Sequence, residues 1–261
     1  MEHEDVRHHV NSFLSPSEGP EAPERVLIIV NSQDFSGDLM RMLWDRCSHR
    51  FCADGGANRL YDWFASGAGG SRVSSLDQYI PDTIVGDLDS IRDDVREYYT
   101  SKGTVCVEIA DQDNNDLEKC LSEATSVASE AVILGGFGGR FDQQMASIQA
   151  LYKNKDVYGF EHVIIVDVKN VAFLLEVGSH IIELLHDTTR EDTRGTPGGH
   201  RPIEGPTCGL LPIGGPAIVS TQGLQWDLNE SELVFGGLVS TSNKALGARV
   251  AVQTSHPIVW T

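Results

Sequence analysis

Four short stretches of this chain concentrate oxygen ligands and glycines. They are Asp54-Gly55-Gly56-Ala57-Asn58, Gly86-Asp87-Leu88-Asp89-Ser90, Asp111-Gln112-Asp113-Asn114-Asn115-Asp116, and Gly135-Gly136-Phe137-Gly138-Gly139-Arg140-Phe141-Asp142. Carboxylates brought together repel and raise one another's pKa unless a cation joins them. Hard oxygen donors suit Mg2+, which keeps part of its water shell and bridges to phosphate oxygens. The glycine-rich stretch permits close backbone approach and positive φ. Arg140 offers a planar fork for phosphate oxygens, and a helix starting after it would present free N–H groups to an anion. Together these residue types point to metal-assisted handling of a polyphosphate. Taken singly each is ambiguous. Asp is common in turns and caps, so Asp116 or Asp142 could simply cap its helix, and the Asp87-x-Asp89 spacing also occurs in metal-dependent glycosyltransferases. The Gly-x-x-x-x-Gly-Lys-Ser/Thr phosphate loop is absent, and no Gly-x-Gly-x-x-Gly fingerprint follows the first apolar run.

The elements around these stretches decide whether they can meet. Residues 26–30 (VLIIV) form a continuous apolar run, the pattern of a strand covered on both faces. Further short strands are expected at 51–53, 83–85, 105–109 and 131–134. Helical spacing fills the intervals, beginning at Asp38 and continuing over 58–66, 92–101, 115–126 and 142–154. Strand–helix alternation of this kind predicts a parallel sheet with crossover helices. Asp54, then Asp87 and Asp89, then Asp111, Asp113 and Asp116, then the glycines and Arg140 all follow successive strands. In an open parallel sheet those positions share one edge, outside the carboxyl ends, where ligands bind.

Beyond residue 160 the period changes. Strands are expected at 163–168, 171–175, 180–185, 217–221, 223–228, 233–237 and 249–254, with little helix between them, as in an antiparallel sandwich or barrel. The expected organisation is a flexible tail over 1–24, an α/β domain over 25–160 and a β domain over 161–261. Residues 187–206 (DTTREDTRGTPGGHRPIEGP) are rich in Gly, Pro, Thr and charge, and are expected to form a mobile loop. A smaller flexible connection is expected at 66–75.

Composition narrows the function. The 261 residues are 40% hydrophobic and 22% charged, ordinary for a globular protein, and the net charge is −18. That charge disfavours nucleic acid as a partner, because its binding relies on Lys and Arg. No apolar run is long enough to span a bilayer, and the N-terminal residues lack the order of a secretory signal, so a cytoplasmic protein is expected. The 5 cysteines are odd in number and lack Cys-x-x-Cys spacing, which argues against zinc, redox and disulfide roles. The 9 histidines contain no His-Glu-x-x-His pattern.

The four stretches, in this order, with the third running on through Leu117-Glu118-Lys119 and the fourth through Gln143, resemble the thiamine pyrophosphokinase family. The resemblance extends to Gly223-Leu224-Gln225-Trp226-Asp227-Leu228 and Ser240-Thr241-Ser242-Asn243 and covers about 26–260. It implies a Rossmann-like α/β domain followed by a β-sandwich. It also implies a homodimer with sites formed between subunits, ATP as co-substrate, Mg2+ as cofactor, and thiamine held by the β domain. The products would be thiamine diphosphate and AMP. By this resemblance Asp87, Asp89 and Asp116 would hold Mg2+. Asp54, Gly55, Gly56, Asn58, Asp113, Gly135, Gly136 and Gly139 would support the nucleotide and its metal. Arg140 would neutralise the transferred group, Asp142 would orient it, and Asp87 or Asp89 would serve as base. Trp226, Ser240, Ser242 and Asn243 would receive thiamine, whose cationic thiazolium suits an acidic protein and an aromatic face. The residues leave two alternatives open: a non-catalytic thiamine or nucleotide sensor, and another Mg2+-dependent nucleotide-using transferase.

Overall fold

The computed structural model describes residues 6–15, 22–33, 35–65, 76–191, 200–202 and 204–261. The flexible connection expected at 66–75 lies outside them. The chain divides into two compact units, Pro23–Val171 and a second made of Met1–Ala22 with Ala172–Thr261.

The first strand, β1 (Arg7–Val10), belongs to the second unit. The α/β unit then runs β2 (Arg25–Ile29), α1 (Gly37–Trp44), β3 (His49–Ala53), α2 (Gly56–Ala65), β4 (Thr83–Gly86), α3 (Asp93–Ser101), β5 (Val105–Glu108), α4 (Asp116–Ala124), β6 (Glu130–Leu134), α5 (Phe141–Lys153) and β7 (His162–Val166). Its sheet order is β7-β6-β2-β3-β4-β5, and every neighbouring pair is parallel. All five residues of β2 are buried, as the VLIIV run requires for a strand with helices on both faces. Arg25 and Glu130 form a buried 2.6 Å ion pair where β2 and β6 begin. The chain builds outward from β2 through β5, then returns to add β6 and β7 on the other side. This reversal places a topological switch between β2 and β6, and the crevice beyond their carboxyl ends is the usual ligand position in such sheets.

Two helices start at this carboxyl edge in different ways. Asn115 caps α4 in a reciprocal capping box, accepting from the Glu118 N–H while the Glu118 carboxylate accepts from the Asn115 N–H. Helix α5 begins after Arg140, with no side chain capping its first turn.

The β unit continues with β8 (Val171–Leu175), β9 (Gly178–Glu183), β10 (His186–Glu191), β11 (His200–Pro202), β12 (Thr207–Leu211), β13 (Ala217–Gln222), β14 (Ser231–Leu233), β15 (Ser240–Lys244), β16 (Arg249–Thr254) and β17 (Ile258–Trp260). One sheet has the order β1-β9-β16-β13-β14, and a second row runs β15-β12-β17-β8. The buried faces carry Ile182, Val219, Leu233, Val250 and Val252 from the first, and Phe173, Leu175, Leu210, Ile258 and Trp260 from the second. His9 of β1 stacks on Phe173 of β8 with ring centroids 5.1 Å apart, so the two rows meet through their side chains.

Several expectations change, among them the strands expected at 223–228, which form a loop, and at 233–237, where β14 ends at Leu233. Residues 7–10 of the supposed tail form a strand parallel to β9, because His9 is buried and bonds His180 Nδ1 through Nε2 at 2.9 Å. Strand β7, expected to open the β domain, is the edge of the parallel sheet, so the division falls at 171 rather than 160. Within the expected mobile loop, β10 and β11 pair antiparallel, while 192–199 and 203 lie outside the described residues.

Candidate active site

Three loops of the α/β unit bring carboxylates to the carboxyl edge of the sheet. Asp54 follows β3, Asp87 follows β4 and Asp116 opens α4. One ligand oxygen from each lies within 4.8 Å of the others. Gly86 makes this convergence possible. A Cβ there would sit 2.7 Å from Asp54 Cβ and 3.0 Å from Asp116 Oδ1, closer than side chains tolerate.

Asp54 is the buried member of the group. Its backbone is left-handed, with φ 39, a conformation Asp adopts more readily than most residues. Its carboxylate accepts from the Ser90 N–H at 3.0 Å and the Ile91 N–H at 2.9 Å, tying β3 to the loop after β4. Burial pushes its pKa up. The two backbone donors oppose that shift, and the negative charges of Asp116 and Asp87 add to it. Asp87 is more open. Partial burial works against its ionisation, but the Asp89 N–H, Lys119 and Gln112 outweigh that and hold its carboxyl below the usual range.

Asp89 separates from Asp87. Leu88 between them has φ 60, which turns the chain. Asp89 is exposed and accepts a hydrogen bond from Ser90 Oγ at 2.8 Å. It is not a member of the three-carboxylate group, and Asp54 takes that place. Asn58 does not line the crevice. It donates to the Ser90 carbonyl at 2.8 Å and accepts from the Arg92 N–H at 3.1 Å, so it latches α2 to the same loop.

A crevice of about 1000 Å³ opens beside the acids. On one side stand Asn31 and Ser32 after β2, with Gly55 and Arg59. On the other stand Gly135, Gly136, Gly139 and Arg140 after β6, and its floor includes Asp87, Asp113, Asp116 and Lys119. It spans the switch between β2 and β6, as expected for this sheet order. Gly135 and Gly139 have φ 89 and 65, values that favour glycine. Gly56 lies against the Ile29 carbonyl, where no side chain fits, and so sets how closely α2 approaches β2. Arg140 and Asp142 form a two-point ion pair at 3.1 and 2.5 Å, both exposed. The pair raises the arginine pKa and lowers that of the aspartate.

In the β unit, Trp226 is 58% exposed. It sits in a loop held by Asp227, which accepts from Thr221 Oγ1 at 3.0 Å and from the Leu224 N–H at 2.9 Å. Buried Asn243 clamps the same loop, accepting from the Trp226 N–H at 3.2 Å and donating to its carbonyl at 2.9 Å. Asn243 Nδ2 also lies 3.3 Å from Ser240 Oγ. Ser242 is exposed and has φ 56. Asn243 and Ser240 thus position the loop, and Trp226 presents the open aromatic face.

Sequence reasoning gave no role to Gln112 and Lys119, which belong to the third stretch, and it missed Asn31, Ser32 and Arg59. Lys119 had a signal: three residues after Asp116 on a helix, it shares that residue's face.

The chain was compared with known proteins. Residues 40–159 match the model described as thiamin pyrophosphokinase, catalytic domain, and 188–259 match thiamin pyrophosphokinase, vitamin B1 binding domain. Thiamine pyrophosphokinase 1 of Arabidopsis thaliana is 35% identical over 271 residues, covering 98% of this chain and 93% of the plant protein. Thiamine pyrophosphokinase of Saccharomyces cerevisiae is 28% identical over 292 residues, covering 93% and 85%. The solved structure of thiamin pyrophosphokinase from Candida albicans has a TM-score of 0.79 at 29% identity, covering 98% of this chain and 92% of that one. This chain belongs to the thiamine pyrophosphokinase family.

Proposed function

We propose that this enzyme transfers the pyrophosphoryl group of ATP to thiamine, giving thiamine diphosphate and AMP. The observation that carries the reading is the meeting of Asp54, Asp87 and Asp116 beside the glycine-lined crevice. Three carboxylates with one ion pair partner between two of them suit a hard divalent cation, so the residues fit Mg2+. Asp87 and Asp116 would hold it, with Asp54 completing the group and Asp89 and Asp113 facing its water shell. When bound, the ion supplies charge neutralisation for the polyphosphate oxygens.

In this reading the loop after β6 and the uncapped start of α5 receive phosphate oxygens through backbone N–H groups. Arg140 leaves Asp142 or shares its fork with the transferred group, neutralising charge that builds in the transition state. The thiamine hydroxyl oxygen forms a bond to the β-phosphorus. The bond from that phosphorus to the α–β bridging oxygen breaks, and AMP departs with it. The hydroxyl proton passes to a rim carboxylate, and exposed Asp89 is the candidate, because it stands outside the three-carboxylate group that Asp87 belongs to. Trp226 stacks on the thiamine rings, with Asn243, Ser240 and Ser242 shaping that loop. The resemblance further supports a homodimer. Among the described residues no helix is long and apolar enough to cross a membrane.

The test is direct. The protein is incubated with thiamine, ATP and Mg2+, and products are identified by mass spectrometry. Thiamine diphosphate with AMP supports the proposal, whereas thiamine monophosphate with ADP would place the chain in a different reaction class.

A further inference from the structure

Lys119 is an unusual neighbour for a cation site. Its side chain is 3% exposed, with Nζ 3.2 Å from Asp116 Oδ1 and 3.7 Å from Asp87 Oδ2. It is buried because α4 packs against β4 and β3, and the residue is among those lining the crevice. A buried ammonium must be paired. Here its partners are two of the three carboxylates that converge within 4.8 Å. The chain has therefore built one positive charge into the group that would take a divalent cation.

We propose that Lys119 is a positioning and selectivity residue of this centre. Its fixed charge holds Asp87 and Asp116 together before any metal arrives, and it lowers the affinity for a bare divalent ion. The consequence is that the cation enters mainly with its polyphosphate. Three carboxylates and one ammonium leave a local charge of about −2. A free divalent ion must then compete with a resident cation, whereas a metal–polyphosphate complex also gains the ammonium's attraction for its anionic oxygens. This role rests on the crevice being a nucleotide site. A purely structural lysine would tie α4 to β4 without altering which form of the metal is bound.

The experiment titrates the full-length protein with Mn2+ in the absence of nucleotide, following free Mn2+ by electron paramagnetic resonance. Wild type, Lys119→Met and Lys119→Arg are compared, and each is also melted in EDTA and in Mn2+. Lys119→Met is expected to bind bare Mn2+ about 10-fold more tightly, to melt lower in EDTA and to gain more on adding Mn2+. Its KM for the metal–ATP complex should rise. Lys119→Arg, which keeps the charge, should stay within about 3-fold of wild type in Mn2+ affinity. Unchanged or weaker Mn2+ binding in Lys119→Met overturns the proposal. Should that variant fail to fold, Lys119→Gln decides the question by the same criterion. Product analysis of the wild type separates the two ideas: absence of thiamine diphosphate refutes the proposed reaction, while the Mn2+ titration still judges Lys119.

Discussion

Replacing Asp54 with Asn removes one charge and almost no volume, and its effect can be worked out from the structure. The carboxylate accepts two backbone N–H groups, one on each oxygen. An amide offers one oxygen, so either the Ser90 or the Ile91 N–H is left facing another donor. An unsatisfied buried donor costs about 1–3 kcal/mol. Against this, removing one of three neighbouring negative charges relieves repulsion, which contributes to the raised pKa of Asp54. Asn tolerates the left-handed backbone at this position, so no backbone strain is added. The net expectation without metal is a loss of about 1–2 kcal/mol. At about 2–4 °C per kcal/mol for a chain near this size, the melting midpoint should fall by roughly 2–8 °C. With metal the gap should widen. A ligand at 100 times its Kd stabilises by about 2.7 kcal/mol, and a 10-fold weaker site forfeits about 1.4 of that. The assay is thermal unfolding of wild type and Asp54→Asn in EDTA and in saturating Mg2+. Equal midpoints in EDTA together with equal Mg2+ shifts would refute both the anchoring and the metal role.

Other consequences can be checked in parallel. Arg140→Ala should lower kcat by about 100- to 1000-fold while leaving the melting midpoint nearly unchanged, since the side chain is exposed. Steady-state kinetics with an unfolding control reads this, and near-wild-type turnover contradicts the role. Trp226→Ala should raise the KM for thiamine by about 2- to 30-fold, the equivalent of about 0.5–2 kcal/mol, with the KM for ATP unmoved. Glu204 gives a pH-dependent test. Burial pushes its pKa from 4.5 up to about 7, with Asn11 opposing the shift. The folded protein therefore keeps a proton that the unfolded chain releases. Its contribution to stability is complete below pH 4.5 and is lost as pH rises through about 7. Glu204→Gln, always neutral, should be more stable than wild type at pH 8.5 by up to about 3 kcal/mol, from a difference of about 2.5 pH units, and the gap should close as pH falls below 4.5. A wild-type advantage at pH 8.5 would contradict this.

Much of the α/β unit was legible because its signals are local and strong. The VLIIV run reads as a strand covered on both faces and the spacing over 115–126 as a helix, and β2 and α4 follow them. Strand β7 carried the same apolar signal in residues 163–166, but no crossover helix follows it, and its sheet membership was not a local property. Strand β1 was hidden by its polarity. Arg7, His8 and His9 resemble a solvated tail until His9 finds His180 and Phe173. Residues 223–228 alternate like a strand, yet Asp227 draws back the Leu224 N–H and the Thr221 hydroxyl. The result is the loop that exposes Trp226. In the site, the convergence of loops was readable from strand order. The division of labour between Asp54 and Asp89 was not, because it depends on the turn at Leu88. Lys119 lay in the third stretch without a role for a similar reason, since a lysine in a helix is ordinarily solvated and only its burial against Asp87 and Asp116 marks it.

The gathering of carboxylates around a cation is most directly tested by growing crystals with Mn2+ and a non-hydrolysable ATP analogue and recording anomalous scattering at the manganese edge. The expected map places a peak bonded to Asp87 and Asp116, beside Asp54, with phosphate oxygens completing its shell. A peak held by other residues, with these three carboxylates turned away from it, would contradict the assignment.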